Sequence, residues 1–222
     1  MRVFHFLNSE YGLDDIRRRR LRISLFSDLN DPFELLSIEL SDKHRRQEFK
    51  AVKEEMARTG GILCFSKRWS NPVQWSHYAD RHRGLCLGFE VPDELILPVS
   101  YAAKRWISTD DQLLMPNYAD NENNRATILR LISTKYSHWR YEGEMRCLLL
   151  LREKDPEMGM YFADFSSELR LVRVIVGAMS SVSRADVSAA LGVLQDNVRV
   201  FKARLAFKSF SVVRNRDQSL WV

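Results

Sequence analysis

The run Tyr141-Glu142-Gly143-Glu144-Met145-Arg146, leading into Cys147 and four leucines at 148–151, sets two carboxylates and a guanidinium at the mouth of an apolar segment. In an extended chain, side chains alternate between faces, so Glu142, Glu144 and Arg146 fall on one face and Gly143, Met145 and Cys147 on the other. Carboxylates at the start of a core strand are costly to desolvate unless they are paired or face a water-filled cleft. Two readings follow. Glu144 pairs with Arg146 or another arginine and only orients the sheet edge, or Glu-x-Glu is a catalytic or ligand-binding pair. Three other places carry side chains able to take part. His5 stands on a short strand pattern, pointing away from Phe4 and Phe6, where it is either hydrogen-bonded or functional. Ser66 ends the apolar run from Ile62. Trp75 and Tyr78, three apart on a helix, form either a piece of core or a platform for a flat ligand.

These residues need elements to hold them. Val3 to Leu7 reads as a strand and Glu10 to Arg18 as a helix capped by Ser9, with Arg17 to Arg20 at its C-terminal end, where cations suit the helix dipole. That arginine cluster is either a solvated helix end or a phosphate holder. Leu21 to Leu25 resumes as a strand. Asn30-Asp31-Pro32 is a local stop, because the proline forces Asp31 extended and the two polar side chains can bond nearby amides. Ser41 to Arg58 shows helical spacing, ended by Gly60-Gly61. Ile62 to Ser66 is a strand, and Asn71-Pro72 opens a helix to about residue 80. Leu85 to Val91 is a buried strand.

Beyond it, Val99 and Tyr101 extend a strand, Met115 to Asn124 reads as a polar loop, and a helix from Ala126 to Tyr136 delivers Lys135 and Trp139 to the Glu142 stretch. Arg152 to Glu168 reads as an excursion near the site. A β-branched strand from Leu171 to Gly177, a helix capped by Ser183 and reaching Leu194, and strands at 198–205 and 207–213 complete the chain. The irregular mixture, without a Gly-rich strand-to-helix turn, argues for an α+β fold: one compact domain over residues 1–222, with a mostly antiparallel, split or curved sheet and flanking helices.

The bulk numbers narrow the class. With 222 residues, 45% hydrophobic and 28% charged, the chain is expected to be a single soluble globular unit. No apolar run is long enough to cross a bilayer, and the first residues lack the pattern of a secretory signal, so a cytoplasmic location is expected. Cys64, Cys86 and Cys147 lie in apolar runs as reduced thiols do, and no ligand spacing accompanies them, so no metal is expected. A net charge of +5 permits a polyanionic partner without requiring one.

Three motifs together, LNDPFE at 29–34, ILCFSKRWSNPVQWSHYADRHRGLCLGFE at 62–90 and K-x3-W-x-YEGEMR at 135–146, resemble a large bacterial family labelled as a domain of unknown function. The resemblance spans most of the chain. Such proteins look like those of abortive-infection and other phage-defence systems. More distantly, the order His5, helix, Ser66 and Glu142-Gly143-Glu144 resembles ADP-ribosyltransferases. That likeness implies NAD as co-substrate and Glu144 as the principal catalytic group, bonding the nicotinamide ribose hydroxyls and stabilising an oxocarbenium-like centre. Ser66 would brace the glutamate, His5 would hold ribose or phosphate, and Tyr78 or Trp75 would stack on nicotinamide. Glu142, Asn30, Asp31 and Arg146 join these as NAD-contacting candidates, with a nucleic acid or a protein as acceptor. The alternative is a non-catalytic nucleic-acid- or protein-binding sensor of a defence system. A nuclease is a third reading and would need Asp31, Glu90 and Glu142 to converge on a metal.

Overall fold

The computed structural model describes residues 1–107 and 122–217, together with Ser219 and Trp221. The run Leu85–Phe89, apolar apart from Gly88, forms a strand buried on both faces and becomes the centre of the sheet. This strand, β5 (Leu85–Glu90), pairs antiparallel with β1 (Arg2–Leu7) on one side and with β11 (Arg170–Val176) on the other. Outward from β11 come β12 (Arg199–Leu205), in parallel, and the edge strand β13 (Val212–Arg214). Outward from β1 come β4 (Gly60–Ser66), β9 (Glu144–Leu150) and the short β6 (Leu97–Pro98), and β3 (Ser24–Leu25) also borders β4. The chain is thus an α+β domain around a mixed, mostly antiparallel sheet of nine strands. Two small ribbons accompany it: β2 (Arg20–Arg22) with β10 (Phe162–Asp164), and β7 (Ser100–Ala102) in parallel with β8 (Thr134–Tyr136).

Helices α1 (Ser9–Arg18) and α5 (Arg184–Leu191) cover one face, burying Ile16, Val187 and Leu191 with Val3, Leu85, Leu87 and Val174. The opposite face carries α3 (Pro72–Tyr78), whose Trp75 packs with Phe4, Cys86 and Ile175. Two further helices, α2 (Lys43–Thr59) and α4 (Glu122–Ile132), build satellite clusters beside β4 around Phe49, Ile62, Leu131 and Ile132. Gly84 allows the turn between α3 and β5, since a Cβ there would lie 2.0 Å from the Leu7 carbonyl oxygen.

Several expected boundaries shift for local reasons. Asn8, not Ser9, caps α1, its side-chain oxygen accepting the Tyr11 N–H at 2.8 Å. The four arginines separate: Arg18 pairs with Asp14, Arg19 turns left-handed to end the helix, and Arg20 enters β2, where it pairs with Asp155 at 2.6 Å and lies over the Phe162 ring. Gly60-Gly61 begins β4 in addition to ending α2. The expected loop at 115–124 lies outside the described residues up to residue 121, and 122–124 open α4. Helix α4 stops at Ile132, so Lys135 is a strand residue. Helix α5 gives way at Gly192 to a 3-10 turn. The 152–168 excursion packs on β2 through β10 and borders no part of the cavity described below.

The sheet is split. Strands β1 and β5 share six register pairs and β4 and β9 share seven, whereas β1 and β4 meet only at Phe4 and Ser66. From that point they diverge, and β3 takes the place beside Gly61 and Ile62 that β1 has vacated. The His5 side chain bridges the gap: its Nδ1 lies 2.8 Å from the Cys64 carbonyl oxygen, replacing a ladder bond that the diverging backbones cannot make.

Candidate functional site

At the fork of β1 and β4 lies a cavity of about 260 Å³. His5 and Phe6 of β1, Cys64 and Phe65 of β4, Asn30 of the loop after β3, and Tyr78 of α3 face it, together with Lys135, Glu142 and Glu144. Glu142 does not sit on β9 as the alternation rule implies. Residues 137–142 form a 3-10 turn, Gly143 adopts φ +51°, a conformation that favours glycine, and the strand begins only at Glu144. The two carboxylates still meet, because Lys135 of β8 reaches both, at 2.7 Å from Glu142 and 3.2 Å from Glu144.

Behind this pair is Arg146, fully buried. Its Nε and Nη2 hold Glu144 at 2.7 and 3.0 Å, its Nη1 and Nη2 hold Glu34 at 3.0 and 2.6 Å, and Nη1 also donates to the Ile132 carbonyl. Those bonds use all five donors of the guanidinium, the arrangement that makes a buried arginine tolerable. The cluster holds three carboxylates, Glu34, Glu142 and Glu144, against two cations, Lys135 and Arg146, all 6% exposed or less. Tyr78 donates its hydroxyl to Glu142 and accepts from the Asn30 amide at 2.6 Å, so one chain of hydrogen bonds runs from Asn30 to Glu34.

The surroundings set the two glutamates apart. Burial pushes the Glu144 carboxyl up, but the attached Arg146 and the nearby Lys135 outweigh it, and the net shift is downward. For Glu142, burial wins over Lys135 and Tyr78, with the charge of Glu144 adding to it, and the carboxyl rises above its ordinary range. Burial drives Lys135 down, yet Glu144 and Glu142 together carry it well above the usual lysine value. Burial also lowers His5. Because the Cys64 carbonyl can only accept, the neutral imidazole carries its proton on Nδ1, and Nε2 is left as an acceptor at the cavity.

The sequence-derived candidates therefore divide. His5, Ser66 and Glu144 do lie on adjacent strands, β1, β4 and β9. His5, Asn30, Tyr78, Glu142 and Glu144 meet at the cavity. Ser66 does not face it: buried, it donates to the Glu142 carbonyl at 2.6 Å, which Gln74 Nε2 also reaches at 2.8 Å, so the two side chains fix the Glu142 backbone. Trp75 is wholly buried, its indole N–H bonded to the Trp69 carbonyl at 2.6 Å, and it supports α3 from within. Asp31 is buried in its own turn, accepting the Phe33 N–H at 2.9 Å. Arg146 lies behind Glu144 and outside the cavity wall. The convergence a nuclease would need does not occur, since Glu90 is held by Arg2 and Arg170 while Glu142 belongs to the Lys135 cluster. Among the described residues no cluster of His, Cys, Asp and Glu is placed to hold a metal ion.

Glu34, Gln74 and Lys135 were not among the site residues the sequence put forward, although Lys135 was expected beside the Glu142 stretch. All three stand inside the motifs singled out above, Glu34 closing LNDPFE and Lys135 opening K-x3-W-x-YEGEMR, and that was the available signal. No described helix is long and apolar enough to cross a membrane. No curated protein and no solved structure matches the chain. Residues 74–147, from Gln74 on α3 through Cys147 on β9 and so including Tyr78, Lys135 and both cavity glutamates, match the family model described as Protein of unknown function (DUF2971).

Proposed function

We propose that the fork cavity takes the nicotinamide-ribose end of NAD, or of a similar N-glycoside, and that the chain is an ADP-ribosyltransferase or NAD glycohydrolase of the kind used in bacterial defence. The observation that carries this reading is the meeting of an acceptor imidazole, His5, and a hydrogen-bonded carboxylate, Glu142, across one cavity between apolar walls. At about 260 Å³ the cavity is near the small end of ligand sites, so it suits one sugar and its base while the rest of the dinucleotide lies outside. The principal role passes from Glu144 to Glu142, because both Glu144 oxygens are committed to Arg146. Glu142 would bond ribose hydroxyls and face the positive charge that grows at the anomeric carbon as the bond to nicotinamide breaks. His5 Nε2 would accept a ligand hydroxyl. Water or an acceptor nucleophile then completes the transfer.

The test uses NAD labelled in the nicotinamide ring, with and without bacterial lysate, and measures release of free nicotinamide. Glu142→Gln should slow release by about 100- to 1,000-fold while the melting temperature falls by no more than about 2–4 °C. A parent that releases none, or a variant as fast as the parent, defeats the proposal. One observation favours the second reading, a non-catalytic sensor. The full engagement of Glu144 by Arg146 and Lys135 is what an architectural ion cluster requires. A parent that binds NAD but never cleaves it would support that reading.

A further inference from the structure

Six cations and no carboxylate occupy residues 197–216, the segment that forms β12, β13 and their connecting loop. None of Arg199, Lys202, Arg204, Lys208, Arg214 and Arg216 makes an ion pair with a described carboxylate. The Arg214 Nε is buried with no hydrogen-bond partner among the described residues, a donor without an acceptor. The loop also exposes two aromatic rings: Phe207 is 89% exposed, with Arg204 4.4 Å from its centroid, and Phe210 is fully exposed. Hydration disfavours such rings standing in water, and two on one loop among uncompensated cations fit a ligand that is both anionic and flat.

The geometry extends this surface towards the site. A hollow of about 480 Å³ lies against the hairpin between Arg204, Phe207, Lys208, Arg214 and Arg216. A second groove, of about 570 Å³, starts at Phe210 and Ser211 and runs past Lys67, Arg68 and Arg140 to Glu142, which borders the fork cavity as well. Lys67, Arg68 and Arg140 are exposed, and among the described residues Glu142, whose carboxylate is bonded to Tyr78 and Lys135, is the one acidic residue lining that groove. The edge hairpin is tied to this route by the Val212 N–H, which donates to the Ser70 carbonyl at 2.8 Å.

We infer that the β12–β13 hairpin and the groove beside it bind single-stranded nucleic acid, with the phosphates on the arginines and lysines and two bases stacked on Phe207 and Phe210. An acidic protein would satisfy the cations but would leave the rings without flat partners, and the rings of a paired duplex are already stacked on one another. The inference does not depend on whether Glu142 cleaves NAD. It gives the groove an occupant and supplies one class of acceptor should transfer occur.

The test measures binding, not turnover. Full-length protein is titrated against fluorescein-labelled 12-nucleotide DNA and RNA single strands, the matching duplex, and polyglutamate, by anisotropy at several salt concentrations. Tight single-strand binding that weakens with salt is expected. Phe207→Ala with Phe210→Ala should weaken it at least ten-fold with the salt slope unchanged, since base stacking is lost while no charge is removed. Arg204→Gln, Lys208→Gln and Arg216→Gln together should lower the log–log salt slope by about two. Both sets change surface side chains, and melting curves matching the parent confirm intact folding. Absence of salt-dependent binding, affinity unaffected by both sets, or tighter binding of duplex or polyglutamate would overturn the inference.

Discussion

Replacing Glu144 and Glu142 by glutamine, one at a time, separates the supporting half of the ion cluster from the half that faces the cavity. The Glu144 carboxylate lies between donors on every side: Arg146 Nε and Nη2 at 2.7 and 3.0 Å, and Lys135 at 3.2 Å. A glutamine there has one acceptor oxygen, and its NH2 must point at a permanent donor. Losing a charge partner inside a buried network costs ~3–5 kcal/mol, which for a domain of this size lowers the melting temperature by roughly 6–20 °C.

Glu142 differs. Its oxygens meet Lys135 and the Tyr78 hydroxyl, and a hydroxyl can reverse from donor to acceptor, so glutamine can place its oxygen towards Lys135 and its NH2 towards Tyr78. The expected loss is no more than ~1 kcal/mol, about 2–4 °C. The pH dependence sharpens the contrast. Because the folded Glu142 carboxyl titrates above its ordinary range, it keeps a proton that the unfolded chain gives up, and the parent loses stability as pH rises through that interval. Glu142→Gln lacks this loss, so its stability relative to the parent should improve with rising pH. Thermal and urea melts from pH 4 to pH 8 measure both effects. Equal destabilisation by the two substitutions, or a Glu144→Gln protein that melts like the parent, would refute the reasoning.

Three more outcomes can be checked separately. Asp15, buried on α1, has its carboxyl raised to about 7, chiefly by burial and then by Asp14, so Asp15→Asn should match the parent near pH 4 and exceed it at neutral pH by up to ~4 kcal/mol in urea melts. Ser66→Ala removes one of two donors to the Glu142 carbonyl and the acceptor of the Arg68 N–H, and should lower stability by ~1–3 kcal/mol, seen as a lower urea midpoint with m unchanged. Tyr78→Phe removes a hydrogen bond that holds the Glu142 carboxyl down, so its titration, followed by the carboxyl carbon shift in NMR, should move to still higher pH.

Much of the fold was readable because its signals are local. The apolar run at 85–89, the Asn71-Pro72 helix start and the Ser183–Asp186 capping box each depend on neighbours in sequence, and each is present. The site was readable in part. Alternation put Glu144 and Arg146 on one face, which β9 bears out, but it could not foresee that Gly143 at φ +51° would hold Glu142 off the strand. Nor could it assign Glu34, whose partner Arg146 is 112 residues away, or Lys135, which was assigned to a helix that ends at Ile132. Ser66 and Trp75 illustrate another limit. Polar or aromatic type alone does not distinguish a side chain that faces a ligand from one that braces the wall behind it, and these two do the bracing.

The single register pair between β1 and β4 has a mechanical consequence. On either side of the fork the sheet is a continuous ladder, stiff because bending it means stretching many main-chain bonds together. Across the fork, beyond Phe4 and Ser66, the ladder gives way to side-chain links: the His5 imidazole on the Cys64 carbonyl, and the Phe65 ring edge-on to His5 and Phe89. The two halves of the sheet therefore meet at a seam held by side chains and not by a main-chain ladder, and the cavity lies in it. Hydrogen exchange should reveal the seam as fast-exchanging amides on the β4 edge facing His5, between well-protected amides of β5 and β9.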